Sequence, residues 1–251
     1  MKLGAQFYTI RNECKTPEDL ERSIEKVAAI GYRSVQLSGV CGYDAKRVGE
    51  KLRSLGMTVD LTHFSYDRII NDTEAVISFH NDMDCRYIGI GSNPYGATPE
   101  GLERLVRELT PVLPKLAASG HKLMYHNHNM EFARYGGRLW LDMLCDAFPP
   151  ELIGITLDMY WVQAGGADPV KAITDYRPYL QCVHLKDMIY DPNDKKACMA
   201  PVGSGNMNYP AIIAGCEKAG VEFAFVEQDD CRGRDPFDCL AESFEYCQKL
   251  F

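Results

Sequence analysis

The stretch AAIGYRSVQL, residues 28–37, decides the fold, because one glycine joins the end of a helical pattern to a short apolar run. Glycine just past a helix is the favoured left-handed cap, and the apolar run after it is typical of a buried strand. The same arrangement recurs in RSLGMTVDL (53–61), LAASGHKLMYH (116–126) and EKAGVEFAFVE (217–227). The chain is therefore predicted to repeat a helix–glycine–strand unit.

Less regular units fill the gaps between these four. They end in apolar runs of their own: LGAQFYT (3–9), DMDCRYIGI (82–90), ELIGITLD (151–158) and YLQCVHLKD (179–187). Together the units predict eight strands, near residues 3–8, 33–38, 57–62, 87–91, 121–127, 153–158, 181–186 and 223–228. Helical patterns lie between the strands, and the longest covers residues 98–119.

Strict alternation of strand and helix predicts parallel strands joined by right-handed crossovers. Eight such units in 251 residues predict an α/β fold, a single (β/α)₈ TIM barrel that spans residues 1–251 as one domain. The competing fold is an open doubly wound sheet. No Gly-x-Gly-x-x-Gly follows the first strand, so the dinucleotide-binding fingerprint of that fold is missing, and Gly203-Ser204-Gly205 is interpreted as a flexible turn.

The composition is that of an ordinary globular protein, with 46% hydrophobic and 25% charged residues. A net charge of -8 without any basic run disfavours nucleic acid as a partner. Arg11 interrupts the N-terminal segment where a signal peptide needs an apolar core, and no apolar stretch approaches the roughly 20 residues of a membrane span. We expect a cytoplasmic protein with neither nucleic-acid nor membrane partners. Its ten cysteines form no Cys-x-x-Cys pair and are expected to be small apolar residues in reduced form.

Metal-ligand residue types end four neighbouring predicted strands, where a TIM barrel has its active site. They are His126 and His128 after the fifth strand, Asp158 after the sixth, His184 with Lys186 at the seventh and Glu227 at the eighth. Burying an unpaired charge there would be costly, and a divalent cation would relieve that cost. Oxygen ligands with one or two imidazoles suit Mn²⁺, Co²⁺, Mg²⁺ or Zn²⁺. Each residue alone is equally compatible with a helix cap, an ion pair or a core histidine; together they favour a site.

Other residues near the same strand ends are candidates for binding a substrate. His63 ends the third strand and could bind a hydroxyl or shuttle a proton, while His128 shares a face with His126 because a strand has period two. Trp161 offers an apolar face for a sugar ring. Arg232 and Arg234 follow the eighth strand and could meet a phosphate or carboxylate. Core packing would equally account for the histidines and the tryptophan, and an exposed loop would account for the two arginines.

On these motifs the chain resembles the xylose isomerase-like barrel superfamily, the sugar phosphate isomerase/epimerase group that includes inosose dehydratase-like proteins. The resemblance runs from LGAQFYTIR through AAIGYRSVQLSG, YHNHNMEF, LDMYW and VHLKD to FVEQDD. It implies one divalent metal ion, held by a glutamate, an aspartate, a histidine and a second glutamate. The last three ligands correspond to Asp158, His184 and Glu227, and Lys186 would contact substrate oxygens.

The sequence departs from this pattern at the fifth strand, where many members have a glutamate and this chain has His126. Either His126 is itself the fourth ligand, or Glu131 reaches back from the loop and His126 remains as a base beside the metal. A second carboxylate would restore the hard-ligand set, which favours Glu131.

The resemblance implies a sugar or sugar phosphate isomerase or epimerase that removes a proton next to a carbonyl and passes through a metal-stabilised enediolate. His126, Glu227 and Lys186 are then the catalytic candidates. Loss of a β-substituent from the same enediolate would instead make the protein a dehydratase or lyase. A barrel that binds carbohydrate without turnover and a nuclease are further alternatives, although the acidic composition disfavours the nuclease. The expected partner is a small-molecule carbohydrate, with a homo-oligomer left open.

Overall fold

Eight parallel strands close into a barrel in the computed structural model, which describes residues 1–251. The chain has twelve strands in all: β1 (Lys2–Gln6), β2 (Ser34–Leu37), β3 (Thr58–His63), β4 (Tyr87–Ile90), β5 (Lys122–His126), β6 (Arg134–Tyr135), β7 (Arg138–Leu139), β8 (Ile153–Asp158), β9 (Leu180–Leu185), β10 (Asp187–Asp191), β11 (Lys196–Ala200) and β12 (Phe223–Val226). The barrel order is β1-β12-β9-β8-β5-β4-β3-β2, so the last barrel strand pairs with the first. All eight predicted strands are confirmed, and the fold is a (β/α)₈ TIM barrel.

Eleven α-helices surround the strands: α1 (Pro17–Ile30), α2 (Ala45–Ser54), α3 (Tyr66–Asn71), α4 (Thr73–Asn81), α5 (Pro99–Leu109), α6 (Leu113–Ala118), α7 (Trp140–Ala147), α8 (Met159–Ala164), α9 (Pro169–Asp175), α10 (Tyr209–Ala219) and α11 (Pro236–Cys247). None of them is long and apolar enough to cross a membrane.

The glycines of the repeated unit end their helices as predicted. Gly31, Gly56, Gly120 and Gly220 all have positive φ, between 66° and 128°. Gly31 is constrained further, because a Cβ there would lie 2.5 Å from the ring of Phe244. The single helix predicted over residues 98–119 is wrong. It divides into α5 and α6 where two prolines, Pro111 and Pro114, remove backbone donors and cannot continue the first helix.

An apolar layer fills the lower part of the barrel interior. It consists of Leu61, Tyr87, Met124, Cys182 and Phe225, each no more than 1% exposed and each on a different strand. A much larger apolar cluster lies between the strands and the helices. The interior is therefore closed below, and buried polar side chains are confined mainly to the carboxyl ends of the strands.

Two antiparallel hairpins, β6–β7 and β10–β11, were not predicted from the sequence. The second begins at Asp187, directly after barrel strand β9, and carries the exposed side chain of Tyr190. All ten cysteines are free, and six of them are buried. The cysteines thus act as small apolar residues.

Candidate metal centre

Four buried side chains converge at the carboxyl ends of adjacent barrel strands. His126 ends β5, Asp158 ends β8, His184 lies in β9 and Glu227 follows β12. One ligand atom from each, two imidazole nitrogens and two carboxylate oxygens, lies within 4.8 Å of all the others. The parallel register brings them together, because Asp158 and His184 are direct partners across β8 and β9.

A hydrogen-bond acceptor lies at the outer nitrogen of each imidazole. His126 Nδ1 donates to the backbone oxygen of Gly91 at 3.1 Å, and His184 Nε2 donates to Oε1 of Gln36 at 2.7 Å. A neutral imidazole has one N–H, so the inner nitrogens, His126 Nε2 and His184 Nδ1, then present lone pairs to the centre. An outer hydrogen bond of this kind fixes the tautomer of a metal-binding histidine.

The inner atoms are close together, yet one of them has no hydrogen-bond partner. His184 Nδ1 lies 2.8 Å from Glu227 Oε2 and 3.5 Å from Asp158 Oδ2, and His126 Nε2 lies 3.2 Å from Asp158 Oδ2. Despite the short distance, His184 Nδ1 and Glu227 Oε2 are not oriented as donor and acceptor, and His184 Nδ1 is buried without a hydrogen-bond partner, whereas Glu227 Oε2 has the ammonium of Lys186 at 2.8 Å. Lys186 supplies one positive charge to the two carboxylates, and a divalent cation would also satisfy the imidazole lone pairs that face the centre. Two imidazoles and two carboxylates fit a divalent metal ion.

The two carboxylates of the centre also raise the pKa of His184. Burial alone would lower the pKa of His184, but the carboxylates of Glu227 and Asp158 outweigh it and raise that pKa. The centre therefore attracts positive charge, whether a proton or a metal ion.

Lys186 is a buried cation beside the four converging side chains. Its Nζ lies 2.8 Å from Glu227 Oε2, 3.1 Å from Asp158 Oδ2 and 2.9 Å from Asp229 Oδ2. Burial would lower the pKa of Lys186, but these three carboxylates raise it, so the ammonium stays charged. Burial, and next the charge of Glu227, raise the pKa of Asp229 to about 7. Asp229 was not predicted from the sequence. It lies two residues after Glu227, and this spacing could have indicated that both side chains reach the same end of the barrel.

A cavity of about 400 Å³ opens above the centre, within the size range of small-molecule sites. Its wall brings together the predicted residues His63, His126, His128, Trp161, Lys186 and Glu227. It also includes Tyr8 and Arg11, which were not predicted. Both belong to a 3₁₀ helix, Phe7–Glu13, that leads from β1 across the mouth of the barrel. Arg11 lies over the Tyr8 ring and donates to the backbone oxygens of Tyr8 and Asp229, at 2.7 and 3.0 Å.

The sequence of the chain matches one family model over most of its length. The model, described as a xylose isomerase-like TIM barrel, matches residues 24–230. The chain belongs to this family.

Relatives within and around the family include isomerases, epimerases and dehydratases. An inosose dehydratase from Geobacillus kaustophilus is 22% identical over 195 residues, which are 68% of this chain and 63% of that protein. A sugar phosphate isomerase/epimerase from Parabacteroides distasonis has a TM-score of 0.82 at 21% identity, with 98% of this chain and 93% of the other covered. The probable 3-DHS dehydratase from Bacillus anthracis has a TM-score of 0.75 at 17% identity and 99% coverage of both chains. At these identities the structural likeness shows the fold.

Glu131, the expected fourth ligand, lies apart from the centre in this xylose isomerase-like barrel. Its Oε1 accepts a hydrogen bond from the hydroxyl of Tyr125 at 2.7 Å, and its Oε2 accepts one from the backbone N–H of His128 at 2.8 Å. Side chains alternate between the two faces of a strand, so Tyr125 and His126 lie on opposite faces of β5. The Glu131 carboxylate, which is hydrogen-bonded to Tyr125, therefore lies away from the barrel interior. The structure does not bring Glu131 to the ligand group, and His126 occupies that position.

Asp187 holds the loop that the sequence suggested was a flexible turn. Its buried carboxylate accepts four backbone hydrogen bonds, from Met188 and Met207 on Oδ1 and from Gly203 and Gly205 on Oδ2, at 2.8–3.1 Å. The loop around Gly203-Ser204-Gly205 is thus tied to the residue that follows Lys186.

We expect Asp187→Asn to lower the free energy of unfolding by roughly 2–4 kcal/mol, because an amide has one acceptor oxygen and leaves buried N–H groups unpaired. Urea unfolding would measure this change. Asp194→Asn, at an exposed turn where Asp194 pairs only with Lys196, is the control and should stay within about 0.5 kcal/mol of the parent. Equal midpoints for both variants would show that the Asp187 clamp does not stabilise the fold.

Proposed function

We propose that this chain is a divalent-metal-dependent sugar isomerase or epimerase, with His126, Asp158, His184 and Glu227 as the metal ligands. The observation that carries the proposal is the convergence of their donor atoms within 4.8 Å, with His184 Nδ1 buried and without a hydrogen-bond partner. The family, and the isomerases, epimerases and dehydratases similar to this chain, support an enzyme that acts on a small carbohydrate.

A bound divalent cation would polarise a sugar carbonyl and so acidify the neighbouring C–H bond. The carboxylate of Glu227 lies on the cavity wall and accepts that proton. Burial would raise the pKa of Glu227, but Lys186 and His184 outweigh it and lower that pKa, so the group is ionised at neutral pH. The C–H electron pair moves to the carbonyl oxygen, and the ammonium of Lys186 offsets the charge that develops there. Return of the proton to the adjacent carbon, with transfer of a proton between the two oxygens, gives the isomer, and protonation of the same carbon on its opposite face gives the epimer.

A dehydratase is the second candidate, and the position of His126 favours it. A two-glutamate epimerase exchanges protons on opposite faces of one carbon, and here one of those positions holds an imidazole whose outer nitrogen donates to Gly91. A single carboxylate base is sufficient for the other outcome of the same enediolate, in which a β-hydroxyl leaves as water. The similarity to an inosose dehydratase and to a probable 3-DHS dehydratase is compatible with this outcome.

Exchange of hydrogen with solvent tests both candidates in one experiment. We expect the metal-loaded protein in D₂O to incorporate deuterium next to the carbonyl of at least one ketose or keto-inositol, because both reactions begin with loss of that proton. NMR would follow the C–H signal. A new sugar identifies an isomerase, and an unsaturated ketone identifies a dehydratase. Protein treated with a chelator is the control, and no exchange beyond that control with any sugar would contradict both enzymatic functions.

A further inference from the structure

A second cavity opens beside the cavity above the metal centre, at the same end of the barrel. Its volume is about 270 Å³, and its wall is formed by the loop after β2 and the loop after β3. Ser38, which follows β2, and His63, which ends β3, belong to its wall and also to the wall of the first cavity. The two cavities therefore adjoin at these two residues.

Three aromatic rings line this second cavity, which we call the aromatic cavity. The ring centroids of Tyr43 and Phe79 are 5.4 Å apart, and those of Phe64 and Phe79 are 5.2 Å apart. The three rings, together with Val40 and Cys41 of the same wall, are only half-buried. Apolar side chains that keep contact with water inside a concave wall are typical of a binding site.

One arginine completes the wall of the aromatic cavity. The guanidinium of Arg68 lies over the Phe64 ring, 5.1 Å from its centroid. Arg232 and Arg234, which the sequence suggested for an anion, pair with carboxylates elsewhere and line neither cavity. A planar aromatic group can pack against the rings of the wall and against the flat guanidinium.

The size and position of the aromatic cavity suit one part of a ligand rather than a whole ligand. Its volume is below the roughly 300–1,000 Å³ of sites that bind an entire small molecule. In the barrel, β2 and β3 lie across from β8 and β9, which carry Asp158 and His184. The ring centroid of His63 is 5.9 Å from that of His184, so the aromatic cavity begins one imidazole away from the centre. A ligand whose carbonyl reaches the centre can extend a substituent past His63.

We propose that the aromatic cavity binds an aromatic substituent of the sugar ketone, so that the substrate is an aryl glycoside rather than a free sugar. This inference rests on the function proposed above and adds a second subsite to it. The cavity above the centre takes the sugar with its carbonyl, and the aromatic cavity takes the substituent. Binding removes the apolar surface of the substituent and of the three rings from water.

Binding of paired glycosides tests the second subsite independently of turnover. The probes are methyl and phenyl β-D-glucopyranoside and the corresponding pair of β-D-galactopyranosides, titrated into the whole protein in excess Mg²⁺ by calorimetry. None of them has a carbonyl, so the proposed reaction cannot consume them. We expect the phenyl glycoside of at least one pair to bind roughly tenfold or more tightly than its methyl partner, because only the phenyl ring fills the aromatic cavity.

Two substitutions in the wall locate the phenyl ring. Val40→Trp fills the aromatic cavity and should reduce the phenyl preference to about twofold or less. Phe79→Leu removes one ring with a smaller change in volume and should reduce the preference by roughly threefold, which keeps the test valid if the larger substitution prevents folding. Val106→Trp is the matched control, because Val106 is also half-buried but lies on α5 and lines neither cavity, and it should keep the parental preference. Thermal unfolding checks that each variant is folded.

If no phenyl glycoside binds more tightly than its methyl partner, the second subsite is overturned. A phenyl preference that survives both Val40→Trp and Phe79→Leu overturns it as well, because the ring then binds elsewhere, for example against Trp161. Deuterium exchange of a free ketose without any phenyl preference would leave the proposed function standing and remove the subsite. A phenyl preference that is lost in Val40→Trp, without exchange of any ketone, would support the subsite and contradict the enzymatic function, so the two failures are distinguishable.

Discussion

Replacement of Glu227 by glutamine is expected to reduce proton exchange by about 10²- to 10⁴-fold while the barrel stays folded. The amide has nearly the same volume, but it removes both a negative charge and the proton acceptor on the cavity wall. Lys186 keeps the carboxylates of Asp158 and Asp229, so its ammonium is not left unpaired. The rate of deuterium incorporation and the thermal unfolding midpoint are the two measurements.

Glu222→Gln is a matched control for Glu227→Gln. Glu222 precedes β12 at the opposite end of the barrel, where it accepts a hydrogen bond from the Tyr87 hydroxyl at 2.7 Å. Its amide variant should exchange protons at the parental rate. An undiminished rate in Glu227→Gln would remove Glu227 from the mechanism.

His126→Ala is expected to weaken metal binding by more than the 10- to 100-fold that even outer contacts of a metal site contribute. The substitution removes one of the four converging donor atoms, His126 Nε2. Isothermal titration with Mn²⁺ would measure the affinity, and deuterium exchange should fall with it.

Glu131→Gln is expected to show the opposite pattern. The variant should keep its metal, but it should lose roughly 1–3 kcal/mol of unfolding free energy, because the amide cannot accept both the Tyr125 hydroxyl and the His128 N–H. If His126→Ala retained metal and Glu131→Gln lost it, Glu131 would be the ligand and His126 a base beside it. Parental metal binding and exchange in His126→Ala would place this histidine outside the site.

The barrel and three of the four converging side chains were predictable because both follow from local patterns. A glycine that ends a helix before an apolar run predicts four of the strands, apolar runs alone predict the other four, and polar residues near the end of each strand lie at the barrel mouth. Asp158 ends its strand, His184 lies one residue before the end of its strand, and Glu227 lies one residue after. The strand ends therefore predicted the convergence that the structure shows.

The fourth converging side chain and the cavity wall were harder to predict because they depend on short segments without periodicity. Glu131 lies in a three-residue 3₁₀ helix, and whether it turns toward His126 or Tyr125 depends on packing rather than on spacing. The sequence analysis favoured Glu131 because a second carboxylate would complete the hard-ligand set, whereas the structure brings His126 to the centre. Arg11 lies beyond its strand in a similar 3₁₀ segment, which crosses the mouth to Asp229.

Anomalous diffraction from a crystal soaked in Mn²⁺ tests the metal centre most directly. The structure predicts one strong peak, about 2.0–2.6 Å from His126 Nε2, Asp158 Oδ2, His184 Nδ1 and Glu227 Oε2. A peak coordinated by Glu131 instead of His126, or one more than about 4 Å from these four atoms, would contradict the proposed metal centre.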